Sequence, residues 1–157
     1  MRASRSRRVS APTRAIWEIV SDIEALPLWY SGVQSAEHVK GPGQGVGRRH
    51  RMERMLYSHD LQVEQEVVEW QTESRITLLD VGSTIDGAET SGGVQKFRTT
   101  VDLQAIGDGR TLVTVEYQWT ARFGVPWLQS FLLGGRVMGR EIREMLANID
   151  RIATERE

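Results

Sequence analysis

The stretch VSAPTRAIWEIVSD, residues 9–22, decides the fold, because it joins a strand to a helix within a few residues. Pro12 suits a first helical position, and Ser10 is placed to cap the helix. One apolar face then recurs at helical spacing, formed by Ile16, Trp17, Ile19 and Val20. A further short helix starts at Ser21-Asp22 and ends near Leu26-Pro27. The stretch therefore predicts a strand followed by two short helices.

Downstream of this stretch, the apolar period changes to that of strands. The clearest case is the set Leu61, Val63, Gln65 and Val67, which alternates with Gln62, Glu64 and Glu66. The predicted strands occupy residues 33–39, 48–56, 61–67, 75–81, 94–103 and 111–121. Two glycine-rich loops, residues 41–47 and 82–93, are interpreted as gates over a pocket. The run predicts an antiparallel sheet with one apolar face.

The end of the chain returns to helical spacing. Apolar and small residues recur there at steps of three and four; they are Phe131, Gly135, Met138, Ile142, Met145, Ile149 and Ile152. This stripe predicts one helix of about seven turns. Gly134, Gly135 and Gly139 weaken that helix by about 1 kcal/mol each relative to alanine.

This order of elements predicts one α+β domain over residues 1–157. About seven hairpin-linked strands form a curved antiparallel sheet, and the long terminal helix covers its apolar face. A strongly bent sheet wrapped on one helix leaves room between them, so we expect an internal cavity for a small hydrophobic ligand.

Composition excludes several classes of function. The chain has 20 basic and 21 acidic residues, a net charge of -1, which argues against a nucleic-acid binder. Cysteine is absent, which excludes disulfides and thiolate chemistry. No apolar run has the length of a membrane span, and no signal peptide follows the arginines at the start of the chain. We therefore expect a cytoplasmic protein without stable membrane insertion.

Residues 9–22 also resemble the opening of the START-like, or SRPBCC, superfamily, whose members pair an Ala-Pro with a helix carrying Ile-Trp. The resemblance continues through Pro27-Leu28-Trp29, Val33 and Gly45-Val46-Gly47-Arg48. It ends with the Gly-Asp-Gly-Arg-Thr-Leu-Val run of residues 107–113 and the terminal helix. Within the superfamily, the chain is most similar to the polyketide cyclase/dehydrase and lipid-transport group.

The resemblance implies a helix-grip fold around a deep hydrophobic cavity. That group contains cyclases and aromatases as well as plain carriers, so fold alone does not decide function. It has no catalytic motif that can be carried over to this chain. We expect a carrier or sequestering role for a lipid-like or polyketide-like ligand. The alternative is a polyketide cyclase, aromatase or dehydratase that uses acid-base residues of the same cavity.

His50 is the first candidate for acid-base chemistry, but the pattern does not decide whether its side of the strand faces the cavity or the solvent. Alternation places Arg48, His50, Met52 and Arg54 on one face of the strand and Arg49, Arg51, Glu53 and Met55 on the other. If the first set faces inward, His50 is a polar group in an apolar pocket and suits proton transfer. If that face is solvated, the arginines pair with glutamates of the next strand.

Tyr117 is the second catalytic candidate, because it lies in phase with apolar residues and offers a hydroxyl. Asp80 lies in phase with Ile76 and Leu78, but the opposite face is apolar too. The ligand-binding candidates are Arg54, Asp80, Phe97, Thr99, Trp119, Phe131, Gly135 and Met138. We expect no metal site, because His38, His50 and His59 lack ligand spacing, and no cofactor. A homodimer stays open.

Overall fold

The computed structural model describes residues 1–56, 58–89, 94–121 and 125–156, with side chains described for all of these except 56, 89, 94, 95, 121 and 125–135. The strands are β1 (Arg2–Val9), β2 (Val33–Lys40), β3 (Arg49–Leu56), β4 (His59–Gln71), β5 (Arg75–Ile85), β6 (Ala88–Glu89), β7 (Val94–Ala105) and β8 (Thr111–Ala121). The helices are α1 (Thr13–Val20), a 3-10 turn (Ile23–Ala25), α2 (Leu26–Trp29) and α3 (Val125–Glu155).

Seven of these strands form one curved antiparallel sheet in the order β1-β8-β7-β5-β4-β3-β2. The two-residue β6 pairs with β5 alone among the described residues. Neighbours in the sheet are mostly neighbours in sequence, as hairpin connections require. Strand β1 instead pairs with the last strand, β8, so the first strand completes one edge. This is the antiparallel sheet that the order of elements predicted, in the helix-grip architecture that the resemblance implied.

Strands β7 and β8 turn the predicted apolar sets inward. Val113, Val115 and Tyr117 are fully buried on β8. The acidic residues between the inward positions face the other side, where Asp102 lies 3.2 Å from Arg75 and Glu116 lies 3.8 Å from Arg2. The period of two therefore identified the core face of these strands correctly.

Helix α3 closes the sheet with the predicted stripe. Its residues Ile142, Met145 and Ile149 are fully buried, and the helix packs against β1, β8, α1 and α2. Burying side chains of this size contributes about 1.5–3 kcal/mol each. No helix in the described part of the chain is both long enough and apolar enough to span a membrane.

The start of α1 differs from the prediction in one detail. Pro12 is the N-cap rather than a residue of the first turn, because its backbone is extended (φ -72°, ψ 159°). No side chain caps the helix, so the expected role of Ser10 is wrong. Asp22 instead caps the next turn, since its carboxylate accepts a hydrogen bond from the Glu24 amide at 3.0 Å.

The predicted loop over residues 82–93 is wrong in its first half. Strand β5 continues to Ile85, because the 13-residue β4 offers Leu61 and Gln62 as partners for Ile85 and Thr84. Asp86 and Gly87 then form a tight turn with φ values of 49° and 85°, and β6 follows. Residues 90–93 lie outside the described part, so the structure describes only the first part of the predicted gate, which is the end of β5, the turn and β6.

Candidate functional site

One end of the concave face of the sheet is closed by aliphatic side chains. Val67, Ile76, Leu78, Val101 and Val115 are each at most 1% exposed. They belong to the same core as the buried stripe of α3. These positions come from β4, β5, β7 and β8, and each points inward by the alternation of its strand. This end is a packed apolar core.

Strand β3 brings polar side chains onto the same face. Arg48, His50 and Met52 point inward and are buried, and Arg54 faces α3. Arg49 points outward, where its guanidinium lies 2.9 Å from a carboxylate oxygen of Glu66. Both interpretations of this strand therefore hold in part. The inward set is the one that carries His50, and the outward arginines pair with glutamates of β4.

A row of polar side chains crosses three adjacent strands next to the apolar core. His50, Gln65 and Asp80 occupy directly paired positions on β3, β4 and β5. His50 Nε2 lies 2.9 Å from Gln65 Oε1. Gln65 Nε2 donates to Asp80 Oδ1 at 2.8 Å. Paired positions on neighbouring strands point the same way, so the register itself assembles the row.

His50 is fully buried, as is Gln65 beside it. Burial lowers its pKa to about 4, although the hydrogen bond with Gln65 opposes that change. The charge of Arg48 lowers the pKa further. The imidazole is therefore neutral at physiological pH, and its Nδ1 is buried with no hydrogen-bond partner among the described residues. In this state His50 offers one N–H donor and one free lone pair.

Asp80 lies at the other end of the row and is only half-buried. Burial raises the pKa of its carboxyl to about 6, while the hydrogen bond from Gln65 and the charge of Arg54 lower it. A carboxyl group with this pKa exchanges its proton near physiological pH, which is the property required of a general acid or base. The structure thus turns inward the carboxylate whose direction the sequence left open.

Tyr30 joins the row from the segment that follows α2. Its hydroxyl lies 2.9 Å from Thr99 Oγ1 and 3.5 Å from Gln65 Nε2. Burial raises the pKa of the Tyr30 phenol, and the charge of Asp80 raises it as well. The phenol is therefore protonated at neutral pH and serves as a hydrogen-bonding group. Thr99, a predicted ligand-binding residue, is fully buried beneath it.

A second polar group links the sheet to α3. Arg54 Nη2 lies 3.3 Å from Glu141 Oε1, and the Tyr117 hydroxyl donates to Glu141 Oε2 at 3.2 Å. The Arg54 guanidinium also lies over the Tyr30 ring, 5.3 Å from its centre. Burial raises the pKa of Tyr117 well above its usual value. Tyr117 is therefore a neutral donor, held by the carboxylate that also binds Arg54.

Aromatic side chains adjoin both polar groups. The Phe97 ring packs edge-on against Tyr117 at 4.8 Å and stacks with Trp119 at 6.3 Å. Phe97 and Met138 point toward the core but stay partly exposed, whereas Trp119 is 4% exposed. Trp119 Nε1 is buried without a hydrogen-bond partner among the described residues. Solvent still reaches Asp80, Phe97 and Met138, and we call this part of the concave face its open end.

The structure brings most of the predicted site residues together. His50, Asp80 and Thr99 meet through Gln65 and Tyr30, while Arg54 and Tyr117 meet through Glu141. Phe97, Trp119 and Met138 lie on the same side of the sheet. Phe131 and Gly135 fall in residues 125–135 of α3, for which only the backbone is described. Within the described ranges, no group of three or more histidine and acidic side chains could hold a metal ion.

Sequence reasoning missed three residues that connect this site. Gln65 had a visible signal, since it is the polar member of the inward set of β4. Tyr30 and Glu141 had none, because each depends on how α2 and α3 dock on the sheet. The sequence predicts that the glycine-rich loop over residues 41–47 is a gate over the pocket. In the structure, its Gly43 and Gln44 line a separate groove beside α1 and β2, together with Trp17.

Comparisons with known proteins agree with this architecture. The family model for polyketide cyclase/dehydrase and lipid transport matches residues 1–154. No curated protein matches the chain.

Several solved structures are similar over nearly the whole chain. TTHA0849 from Thermus thermophilus is 16% identical, with a TM-score of 0.78, and the match covers 100% of this chain and 99% of that one. The ZhuI aromatase/cyclase from Streptomyces sp. R1128 is 14% identical, with a TM-score of 0.80 and coverage of 99% and 94%. A START superfamily protein from Mycobacterium smegmatis is 16% identical, with a TM-score of 0.73 and coverage of 96% and 98%.

At these identities, the structural likeness establishes the fold, and the family match extends over the strands and helices that carry the polar row and the open end of the sheet. Both results agree with the resemblance in residues 9–22. The chain belongs to the polyketide cyclase/dehydrase and lipid-transport family of START-like proteins.

Proposed function

We propose that this protein binds a small hydrophobic ligand, lipid-like or aromatic and polyketide-like, at the open end of its concave face, and carries or sequesters it. One observation supports this most. Phe97 and Met138 point toward the core yet stay partly exposed, next to the half-buried Asp80. A partly exposed apolar surface beside a few convergent polar groups is the usual composition of a ligand pocket.

The polar groups suit the anchoring of one end of such a ligand. The Asp80 carboxylate and the Arg54 guanidinium provide an acceptor and a donor on one side of the aromatic side chains. An apolar ligand body that covers Phe97 gains about 25 cal/mol for each Å² of apolar surface removed from water. Membership of the family supports the class of ligand, and the local geometry supports its orientation.

Binding can be tested with the fluorescent probe 1-anilinonaphthalene-8-sulfonate. We expect saturable binding to the purified protein, weakened about tenfold or more in Phe97→Ala, because a large apolar contact is lost. The matched control is Met55→Ala, since Met55 is 43% exposed on the outer face. Equal loss of binding in both variants, or no binding to the wild type, contradicts the proposal. Mass spectrometry of co-purified molecules then identifies the natural ligand.

The alternative function is a polyketide cyclase, aromatase or dehydratase. The specific observation in its favour is a carboxyl group whose pKa is about 6, with Arg54 nearby. Such a group can move a proton at an acidic carbon or at a leaving hydroxyl. Turnover of a linear poly-β-ketone thioester by the wild type, and its loss in Asp80→Asn, would establish this function. Unchanged turnover in His50→Gln and Tyr117→Phe would exclude those two residues as catalysts.

The remaining expectations stay predictions. They are a single ligand-binding domain over residues 1–157, a cytoplasmic location, the absence of a cofactor and of nucleic-acid binding, and the open question of a homodimer. Small-angle scattering of the purified protein, with and without the probe, would determine its oligomeric state.

A further inference from the structure

The hydrogen bonds of the polar row have a fixed direction. An ionised Asp80 only accepts hydrogen bonds, so the side of the Gln65 amide that faces it must be the NH₂ group. The contact of 2.8 Å between Gln65 Nε2 and Asp80 Oδ1 has this direction. The Gln65 carbonyl then points to His50, at 2.9 Å from Nε2. That carbonyl only accepts, so His50 must carry its proton on Nε2.

His50 also keeps the Gln65 amide in this orientation when Asp80 becomes protonated. Reversal of the Gln65 amide would require His50 to move its proton to Nδ1. That atom is buried and has no hydrogen-bond partner in the described part of the chain, so an N–H placed there would be an unsatisfied buried donor. Leaving a buried donor unsatisfied is costly. The imidazole therefore fixes the amide, and the amide presents a donor to Asp80 Oδ1 in both protonation states.

The two oxygens of Asp80 are consequently not equivalent. Oδ1 receives the Gln65 N–H, which disfavours a proton on that oxygen. Oδ2 makes no hydrogen bond to a described residue, and the side chain is only half-buried. The charged and titratable groups that act on the carboxyl are Arg54 and Tyr30, and Arg54 is held in turn by Glu141.

We propose that His50 and Gln65 are positioning residues that direct the exchangeable proton of Asp80 to Oδ2, and that the ligand presents a hydroxyl or carbonyl oxygen to this atom. The part that concerns the ligand rests on the proposed function. When Asp80 is ionised, Oδ2 accepts from a ligand hydroxyl; when it is protonated, Oδ2 donates to a ligand carbonyl or ether oxygen. The site thereby selects oxygenated apolar molecules.

The first test uses the ligand-free protein, so it does not depend on ligand binding. Nitrogen NMR of the His50 ring reports which nitrogen carries the proton, and carbon NMR of the Asp80 carboxyl reports its titration. We expect the Nε2–H form of His50 on both sides of the Asp80 titration. A His50 proton on Nδ1 at either end of that range would overturn the proposal.

Variants of Gln65 and His50 test the positioning roles. Gln65→Leu is expected to raise the pKa of Asp80 by about one pH unit, since it removes a hydrogen bond to the ionised form. His50→Leu frees the amide and should raise the pKa in the same direction. His50→Gln restores a donor near the same place and should return the pKa toward the wild-type value. An Asp80 pKa that is unchanged in both leucine variants would overturn the assignment.

A ligand pair tests the second half of the proposal. 1-Naphthol carries a hydroxyl donor, and 1-methoxynaphthalene is its matched analogue without that donor. In the wild type, we expect the preference for 1-naphthol to decrease as the pH falls through the Asp80 titration. In Gln65→Leu, this decrease should begin at a higher pH. A preference that does not change with pH overturns the contact with Oδ2. Failure of both compounds to bind contradicts the proposed function, and the NMR result still decides the positioning roles.

Discussion

The two ends of the concave face are built on the same strands but differ in their side chains. At the closed end, Leu78 on β5 and Val101 on β7 lie in a dry aliphatic core against α3. Two residues further along the same strands, toward the open end, Asp80 and Thr99 occupy the next inward positions. Phe97 is the next inward position on β7 in the same direction, and it is partly exposed. The change from core to site therefore takes place within one step of the alternation.

Under the proposed function, this difference lets one sheet support both stability and ligand binding. Aliphatic packing at the closed end stabilises the fold by removing apolar surface from water. The open end buries polar groups, and burial shifts their pKa values away from the charged form. The folded state is less stable at any pH at which one of these groups stays charged. Apolar pairs flank the polar row, Met52 with Val63 on one side and Val67 with Leu78 on the other, and they specify its register. The site is thus positioned by the core without being part of it.

The largest effect should come from the closed end. Ile149→Ala removes a fully buried side chain of α3 and is expected to lower the free energy of unfolding by about 2–5 kcal/mol. Urea denaturation measures this loss. Because Ile149 lies in the closed core, the folded fraction of the variant should bind the probe as the wild type does. A loss of probe binding without a loss of stability would remove the distinction between the two ends.

The next effect is the pH dependence of the polar row. Because the pKa of Asp80 is raised to about 6, the folded protein binds the proton of this carboxyl more tightly than the unfolded chain does. Its contribution to stability therefore improves as the pH falls from 6 toward 4. The lowered pKa of His50, about 4, acts in the opposite direction, since stability is lost as the pH falls below 6.5. The two effects should largely cancel in the wild type.

Variants should separate these opposing contributions. Asp80→Asn is expected to raise the free energy of unfolding by about 2 kcal/mol at neutral pH, and this gain should disappear near pH 4. His50→Gln should gain stability relative to the wild type only below about pH 6.5. Denaturation midpoints measured across this range check both signs. If both variants follow the wild-type pH profile, the polar row is not electrostatically different from the core.

A smaller effect is expected where the site meets α3. Glu141→Gln weakens the contacts with Arg54 and Tyr117, so we expect a loss of about 1–2 kcal/mol. Glu144→Gln is the matched control on the same helix, because the exposed Glu144 accepts one hydrogen bond from Ser31. Thermal unfolding compares the two. Equal losses would mean that the link through Glu141 contributes no more than a surface contact.

The smallest effect should be found on the outer face of β3. Arg49→Ala removes an ion pair with Glu66 that is about one-third exposed, and surface pairs contribute roughly 0–1 kcal/mol. The same change at Arg54, on the inward face, should cost more. High salt should reduce the Arg49 effect further. A larger loss for Arg49→Ala than for Arg54→Ala would contradict the assignment of faces.

Much of the fold could be predicted from local sequence patterns. The helical spacing near Ile16 and Trp17 and the stripe through Ile149 identified the helices. The alternation along β7 and β8 identified their inward faces. The continuation of β5 to Ile85 could not be predicted, because it depends on pairing with the distant start of β4 rather than on apolar periodicity. A polar strand of this kind is stabilised by its neighbour's backbone.

The candidate site was harder to predict, for a physical reason. Charged residues occur on both faces of β3, so alternation could not decide which set was buried. The direction of Asp80 had the same ambiguity, since both faces of β5 carry apolar residues. Gln65 is the residue that the pattern should have identified, because a polar side chain in an otherwise inward apolar set requires a buried partner. Tyr30 and Glu141 depend on helix docking, which periodicity does not encode.

The most direct test of the central claim is an NMR titration with 1-naphthol that follows the Met138 methyl group and the tryptophan indoles. The account predicts saturable shifts at Met138 and Trp119, at the open end, while the Ile149 methyl signals and the Trp17 indole stay unchanged. Shifts centred on Trp17, in the groove beside α1, or the absence of any saturable shift, would contradict the claim that the open end of the concave face is the ligand site.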